Sequence, residues 1–192
     1  MKFDSPLKKQ IKIAPAGVME SPNFREWFAK SAVVNSDGTP MMLYHGTDEK
    51  FDAFKPSNEG LFGKGIYLTT CEDDAMQYCT GEPMKLYASI QRPFITQADY
   101  AMGEEYGLEY PAMPLIKALF PDQVDAMVNK ILRGDPRLDG TITRVLRDLG
   151  HDGIQVNWAD GLVHYIALRC NQVKSATGND GSFSMLKASI YE

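Results

Sequence analysis

His45 and Gly46 close an apolar stretch, Met41-Met42-Leu43-Tyr44, and Thr47 follows them. Further along, Gly63-Lys64-Gly65-Ile66-Tyr67-Leu68-Thr69 leads into the segment from Glu72 to Tyr78. An imidazole beside a glycine, glycines ahead of an aromatic, and a second aromatic shortly after are parts that suit a flat heterocycle. If that ring carries positive charge, the faces of Tyr67 and Tyr78 attract it by stacking and cation–π interaction, on the order of 1–2 kcal/mol once desolvated. Gly46 has no side chain, so a ligand can approach its backbone hydrogen-bonding groups. His45 could hold a hydroxyl. Taken singly, each residue also has a plainer reading: core aromatics, a turn glycine, a satisfied polar side chain. The run from Gly60 to Gly65 is not a phosphate loop, because it lacks that motif's glycine spacing and the Ser or Thr after the lysine.

These residues need elements to position them. Ser21-Pro22 starts a helix, with Ser21 as N-cap, and Phe24, Trp27 and Phe28 form one apolar face of it to about Lys30. Asn35-Ser36-Asp37-Gly38 turns the chain into the strand that carries His45. Asp48 to Lys64 reads as a loop pinned by Phe51, Phe54 and Phe62, placed to fold over a ligand. Ile66 to Thr69 is a strand; Thr70 with Asp73 resembles a capping box that opens a helix through Tyr78. Lys85 to Ile90 is a further strand, stopped by Pro93. Residues 97–138 are mainly helical and read as an insertion on the edge of the core, interrupted by Pro111, Pro114 and Pro121. Asp139 caps a helix from Thr141 to Leu149 that Gly150 terminates. Gly153 to Val156 and Leu162 to Leu168 form a hairpin about Trp158-Ala159-Asp160-Gly161, and Asn171 to Ser175 extends the sheet.

Composition bounds the rest. A chain of 192 residues fits one domain, 1–192, with residues 1–20 as a polar, Pro-containing N-terminal arm. The net charge of −5 and pI near 5.3 give no electrostatic footprint for general nucleic-acid binding. Cys71, Cys79 and Cys170 lack the paired spacing of a zinc site and read as free thiols of a reducing compartment, with no metal. No apolar run approaches a membrane span, and the lysine-bearing first twenty residues lack a signal-peptide core.

Together the phrases Tyr44-His45-Gly46-Thr47, Gly63-Lys64-Gly65-Ile66-Tyr67 and Ala75-Met76-Gln77-Tyr78-Cys79 resemble the NAD-binding core of ADP-ribosyltransferases of the poly(ADP-ribose) polymerase and diphtheria-toxin type. Ser21 to Phe28 and Asn171 to Asn179 extend the resemblance to the ADP-ribosyltransferase modules of polyvalent proteins in phages and mobile elements. The resemblance implies an α+β fold, a split β-sheet core with NAD in the cleft between its halves, and a helical insertion. It implies that His45 holds the adenosine-side ribose, Tyr67 stacks on nicotinamide, Gly46 clamps the carboxamide and Tyr78 is a second stacking aromatic. Thr47 and Gly65 complete the NAD-binding set. The family triad is His, Tyr and Glu, and here His164 stands where the Glu belongs. Ala75 stands where many polymerase-type members have a serine.

Loss of that carboxylate matters, because departure of nicotinamide leaves an oxocarbenium-like ribose that negative charge stabilises. An imidazole supplies none, a penalty of roughly 3–4 kcal/mol or about 10²–10³ in rate. The implied activity is therefore mono-ADP-ribosyl transfer from NAD to a macromolecular acceptor, a side chain of a host protein above all with nucleic acid as the other acceptor class, and not polymer elongation. His45, Tyr67 and His164 would be the catalytic set. A strong acceptor nucleophile or another carboxylate such as Asp160 shares the work, or His164 serves as general base toward an acceptor hydroxyl. An NAD glycohydrolase toxin and a degenerate module that binds NAD or ADP-ribose are the alternatives. Kinship with phage and mobile-element modules implies a bacterial cytoplasm, a toxin or effector role and a neutralising partner protein.

Overall fold

The computed structural model describes residues 18–192, so the expected arm 1–20 lies outside the described residues except for Val18–Glu20, a 3₁₀ turn. Helix α1, Pro22–Phe28, starts where the sequence places it: Ser21 Oγ accepts the Phe24 N–H at 3.2 Å, and Pro22 occupies the first turn, where its missing N–H is no loss. It ends ahead of Lys30 because Ala29 turns to φ 44°. The apolar face of α1 packs Phe24, Trp27 and Phe28 against Tyr87 and Phe183, and the Trp27 indole donates to the Asn171 carbonyl at 2.9 Å. Strand β1, Leu43–His45, follows after a turn; the loop 46–65 then leads to β2, Ile66–Thr69, and the short helix α2, Glu72–Met76.

The expected capping box is not formed. The N-cap of α2 is Cys71, without a side-chain bond, while Thr70 donates its hydroxyl to the Val163 carbonyl at 3.2 Å and so ties β2 to the next hairpin instead. The helix also stops at Met76, short of Tyr78. Strand β3, Met84–Ala88, is followed by β4, Pro93–Ala98, which has no counterpart in the expectations above. Pro93 opens β4 rather than blocking it, since β4 is an edge strand. Its pattern hid it as well: Ile95 faces solvent and Thr96 is buried, the reverse of ordinary alternation.

Between β4 and β5, Gly153–Trp158, lie a 3₁₀ helix at Tyr100–Tyr106 and helices α3, Met113–Leu119, α4, Val124–Leu132, and α5, Leu138–Asp148. They connect two parallel neighbours, as parallel pairing requires, while every other strand pair is antiparallel. Asp139 does not cap α5. It lies inside the first turn, and its carboxylate accepts the Gly60 N–H at 3.2 Å, which fastens the loop 46–65 to the helix. Strand β6, Val163–Ala167, completes the expected hairpin with β5, and β7, Val173–Ser175, pairs with β3.

The result is a mixed α+β fold on one sheet of seven strands in the order β4-β5-β6-β2-β1-β3-β7. One face packs Ile154, Val156 and Ile166 against Met113, Leu115, Ile116, Ile142 and Leu146 of α3 and α5. The other gathers Leu43, Leu68, Leu86, Tyr165 and Val173 with Phe54 and Ile190. Among the described residues, no helix is long and apolar enough to cross a membrane. Because Trp27 has no exposed surface and joins α1 to the segment before β7, Trp27→Ala should lower the unfolding free energy by about 3–5 kcal/mol in denaturant titration. A loss under about 1 kcal/mol would contradict the packing described.

Candidate active site

The sheet is weakest at its centre. β1 and β2 share one register pair, Tyr44 with Thr69, whereas β2 and β6 share four. Across β2 and β6, Tyr67 lies opposite Ile166 and Thr69 opposite His164; across β5 and β6, Val156 lies opposite His164. Alternate residues of a strand share a face, so Tyr67, Thr69, Trp158 and His164 project to the same side. Where β1 leaves β2, a cavity of about 170 Å³ opens, lined by Tyr44, His45, Gly46, Tyr67, Leu68, Thr69, Asp74, Ala75, Tyr78 and His164. A second cavity of about 530 Å³ shares His45 and Tyr67 with it and is lined further by Thr47, Lys50, Lys55 and Gly65. His45, Gly46, Thr47, Gly65, Tyr67, Tyr78 and His164 thus each border one cavity or the other. Together they reach the size of ordinary ligand sites, roughly 300–1,000 Å³.

Tyr67 offers its ring and not its hydroxyl. The hydroxyl donates to the Gly63 carbonyl at 2.6 Å and accepts the Phe62 N–H at 3.1 Å. Burial, with smaller contributions from Asp139 and Tyr110, pushes its pKa well above the ordinary phenol value. Gly60 crosses so close that a Cβ there would lie 2.1 Å from the Tyr67 hydroxyl. The loop expected to fold over a ligand is therefore folded over the hydroxyl end of Tyr67, and Asp139 holds it there. Burial raises the Asp139 carboxyl above its usual range.

His45 donates Nδ1–H to the Tyr67 carbonyl at 2.8 Å, which leaves Nε2 as a lone-pair acceptor. Phe54 meets its ring edge-on with centroids 4.9 Å apart. Alternation sends the His45 side chain to the Leu43 face, opposite to Tyr67; it reaches both cavities because β1 ends there. Gly46 has a second reason to be glycine: a Cβ would stand 1.9 Å from the Ala75 carbonyl oxygen and 2.9 Å from the Tyr78 Cβ. The end of α2 thus lies directly on the backbone after β1. Ala75 is buried at that contact. Tyr78 stands at the mouth of the smaller cavity, 70 % exposed.

His164 is bonded at both ring nitrogens. The Trp158 indole donates to Nδ1 at 3.0 Å, and Nε2 lies 3.0 Å from Asp74 Oδ2. Sequence reasoning missed Asp74 and Trp158. The available signal for Asp74 was its place four residues ahead of Tyr78, which puts both on one side of the helix the sequence predicts through Tyr78, although α2 itself ends at Met76. Asp160, the carboxylate suggested in its stead, is an exposed turn residue that accepts the Leu162 N–H at 3.0 Å, and it lines neither cavity.

Burial holds the His45 imidazole below its ordinary pKa of 6.5, and the Tyr67 carbonyl offsets this only in part. The unfolded chain therefore binds the proton first as pH falls, so folding stability contributed by neutral His45 is lost between 6.5 and the lower folded value. On going from about pH 7 to about pH 5, wild type should lose more unfolding free energy than His45→Gln in parallel titrations. Equal losses would contradict the burial argument.

No curated protein matches this chain. A crystal structure of an anti-CRISPR protein is similar over 67 % of this chain and 89 % of that one, with 18 % identity and a TM-score of 0.36. Residues 35–183 match the family described as ADP-ribosyltransferase in polyvalent proteins, a span that holds all the strands but none of α1. The chain belongs to that ADP-ribosyltransferase family.

Proposed function

We propose that the protein is a mono-ADP-ribosyltransferase that moves one ADP-ribose unit from NAD to a macromolecular acceptor, a protein side chain. The observation that carries this reading is the gathering of Gly46, Tyr67 and Tyr78 around one small cavity, with His45 at its junction with a larger one. Nicotinamide fits the smaller cavity, its cationic ring against the face of Tyr67 and reachable by the exposed Tyr78. The backbone of Gly46 meets the carboxamide. His45 Nε2, left free by the bond to Tyr67, accepts a ribose hydroxyl. The rest of the dinucleotide runs into the larger cavity, where the ammonium groups of Lys50 and Lys55 face its diphosphate.

In the transfer, the bond between ribose C1′ and the nicotinamide nitrogen breaks and its electron pair leaves with nicotinamide, which becomes neutral. Positive charge develops on C1′ and the ring oxygen. A lone pair of the acceptor forms the new bond at C1′, and the acceptor's proton passes to water. A cavity open at Tyr78 admits a macromolecular nucleophile. A host protein in a bacterial cytoplasm is the acceptor and setting we propose, in keeping with the family and with three free thiols. A toxin or effector role goes with them.

The test is incubation with NAD labelled in its adenylate part and bacterial lysate, scoring free nicotinamide and label on macromolecules. Wild type should yield both. Tyr67→Ala should lower kcat/KM about tenfold, the worth of a desolvated cation–π contact. Tyr67→Phe should keep most of the activity, yet melt lower because the Phe62 N–H and Gly63 carbonyl lose their partner. Nicotinamide without label would mean that water is the acceptor. Neither product from wild type would overturn the reading.

A further inference from the structure

The positive charge that develops on the ribose needs a nearby anion, and His164 does not supply one. Its ring nitrogens are moreover both in use. An indole N–H only donates, so His164 Nδ1 must be a bare lone pair toward Trp158. The proton of the neutral ring then sits on Nε2 and is donated to Asp74 Oδ2. In a carboxylate–imidazole dyad that acts as a base, the nitrogen turned away from the carboxylate is free to take a proton. Here that nitrogen is capped by Trp158. The Trp158 ring also packs edge-on against His164, with centroids 5.5 Å apart, and against Phe62 at 6.0 Å, which holds the donor in place.

Asp74 differs from His164 in each respect. It lines the smaller cavity beside Gly46, Tyr67 and Tyr78. Its side chain is 18 % exposed, shielded yet open to a ligand. Oδ2 is held by His164, while no hydrogen bond from a described residue reaches Oδ1. We infer that Asp74 is the catalytic carboxylate of this cavity, delivered from α2, and that His164 is a positioning residue that aims it, with Trp158 fixing the tautomer. This rests on the ADP-ribosyl-transfer reading above. As the bond from C1′ to nicotinamide breaks, the Asp74 anion stabilises the charge left on the ribose and accepts a ribose hydroxyl hydrogen bond through Oδ1. The carboxylate absent from position 164 has changed elements and not disappeared from the site.

The experiment compares nicotinamide release by wild type, Tyr67→Ala, Asp74→Asn, Asp74→Glu, Trp158→Phe and the double variant Asp74→Asn/His164→Glu, with NAD affinity by calorimetry and thermal melts for each. Asp74→Asn should lose about 10²–10³ in kcat while its NAD affinity stays within a few-fold, as expected for a group that acts on the transition state. Asp74→Glu keeps the charge and should retain more activity than Asp74→Asn. The double variant returns a carboxylate to the same cavity from β6 and should recover at least about tenfold over Asp74→Asn. Nitrogen-15 shifts of His164 should report the Nε2–H tautomer in wild type and a redistribution in Trp158→Phe, a signature that a merely structural tryptophan would not produce. Wild-type kcat in Asp74→Asn, with kcat/KM still lowered about tenfold in Tyr67→Ala, would overturn this assignment and leave the transfer reading intact. No nicotinamide from wild type would overturn both. A poorly folded Asp74→Asn leaves Asp74→Glu and the tautomer signal to decide: wild-type shifts in Trp158→Phe, or a hundredfold loss in a well-folded Asp74→Glu, would count against it.

Discussion

One hydrogen bond at the thinnest part of the sheet holds the candidate site together: His45 Nδ1–H to the carbonyl of Tyr67, at 2.8 Å. β1 and β2 otherwise meet at a single register pair. A full ladder between them would leave no opening, and no connection at all would leave the two sides of the sheet without a fixed relation. The imidazole stitches across the gap through its Nδ1, which leaves Nε2 as an acceptor on a side chain that lines both cavities. The histidine is structural on one ring edge and available to a ligand on the other.

From that stitch the remaining parts are placed by close approach. Gly46 brings α2 onto the end of β1, because nothing larger clears the Ala75 carbonyl. That contact sets Asp74 and Tyr78 on one rim. On the opposite side, the loop before β2 is anchored by the Tyr67 hydroxyl and by Asp139, so the tyrosine presents a fixed ring face. Both anchors sit on partly buried polar groups that would each be costly to leave unpaired, on the order of 1–3 kcal/mol. An aromatic wall from β2, a backbone floor after β1 and a shielded carboxylate from α2 thus line one cavity, and in the proposed transfer they would face a short-lived cationic sugar.

Much of this was legible in the sequence because it is local. His45 with Gly46, and Tyr67 after Gly63-Lys64-Gly65, are short phrases whose residue types fit one ligand, and His45, Gly46, Gly65 and Tyr67 border the cavities. The Asp74–His164 pair was not legible. It joins residues far apart in the chain, and their meeting depends on the register that sets Thr69 opposite His164, which no periodicity encodes. Thr70 and Asp139 were misassigned for a related reason: each looks like a helix cap locally, but tertiary partners, Val163 and Gly60, claim their side chains. β4 escaped notice because an edge strand tolerates both a leading proline and an outward isoleucine. Local chemistry was readable; the pairing of distant strands, and with it the contact of Asp74 with His164, was not.

The central claim is that the small cavity at the β1–β2 gap receives the nicotinamide end of NAD. Saturation-transfer NMR with unlabelled NAD at short mixing times tests it most directly, because it reports which end of the ligand touches protein. Saturation of the nicotinamide protons in wild type, with a marked drop in Tyr67→Ala and adenine signals largely unchanged, is the result this account expects. Saturation confined to the adenine protons, or a nicotinamide signal indifferent to Tyr67, would contradict it.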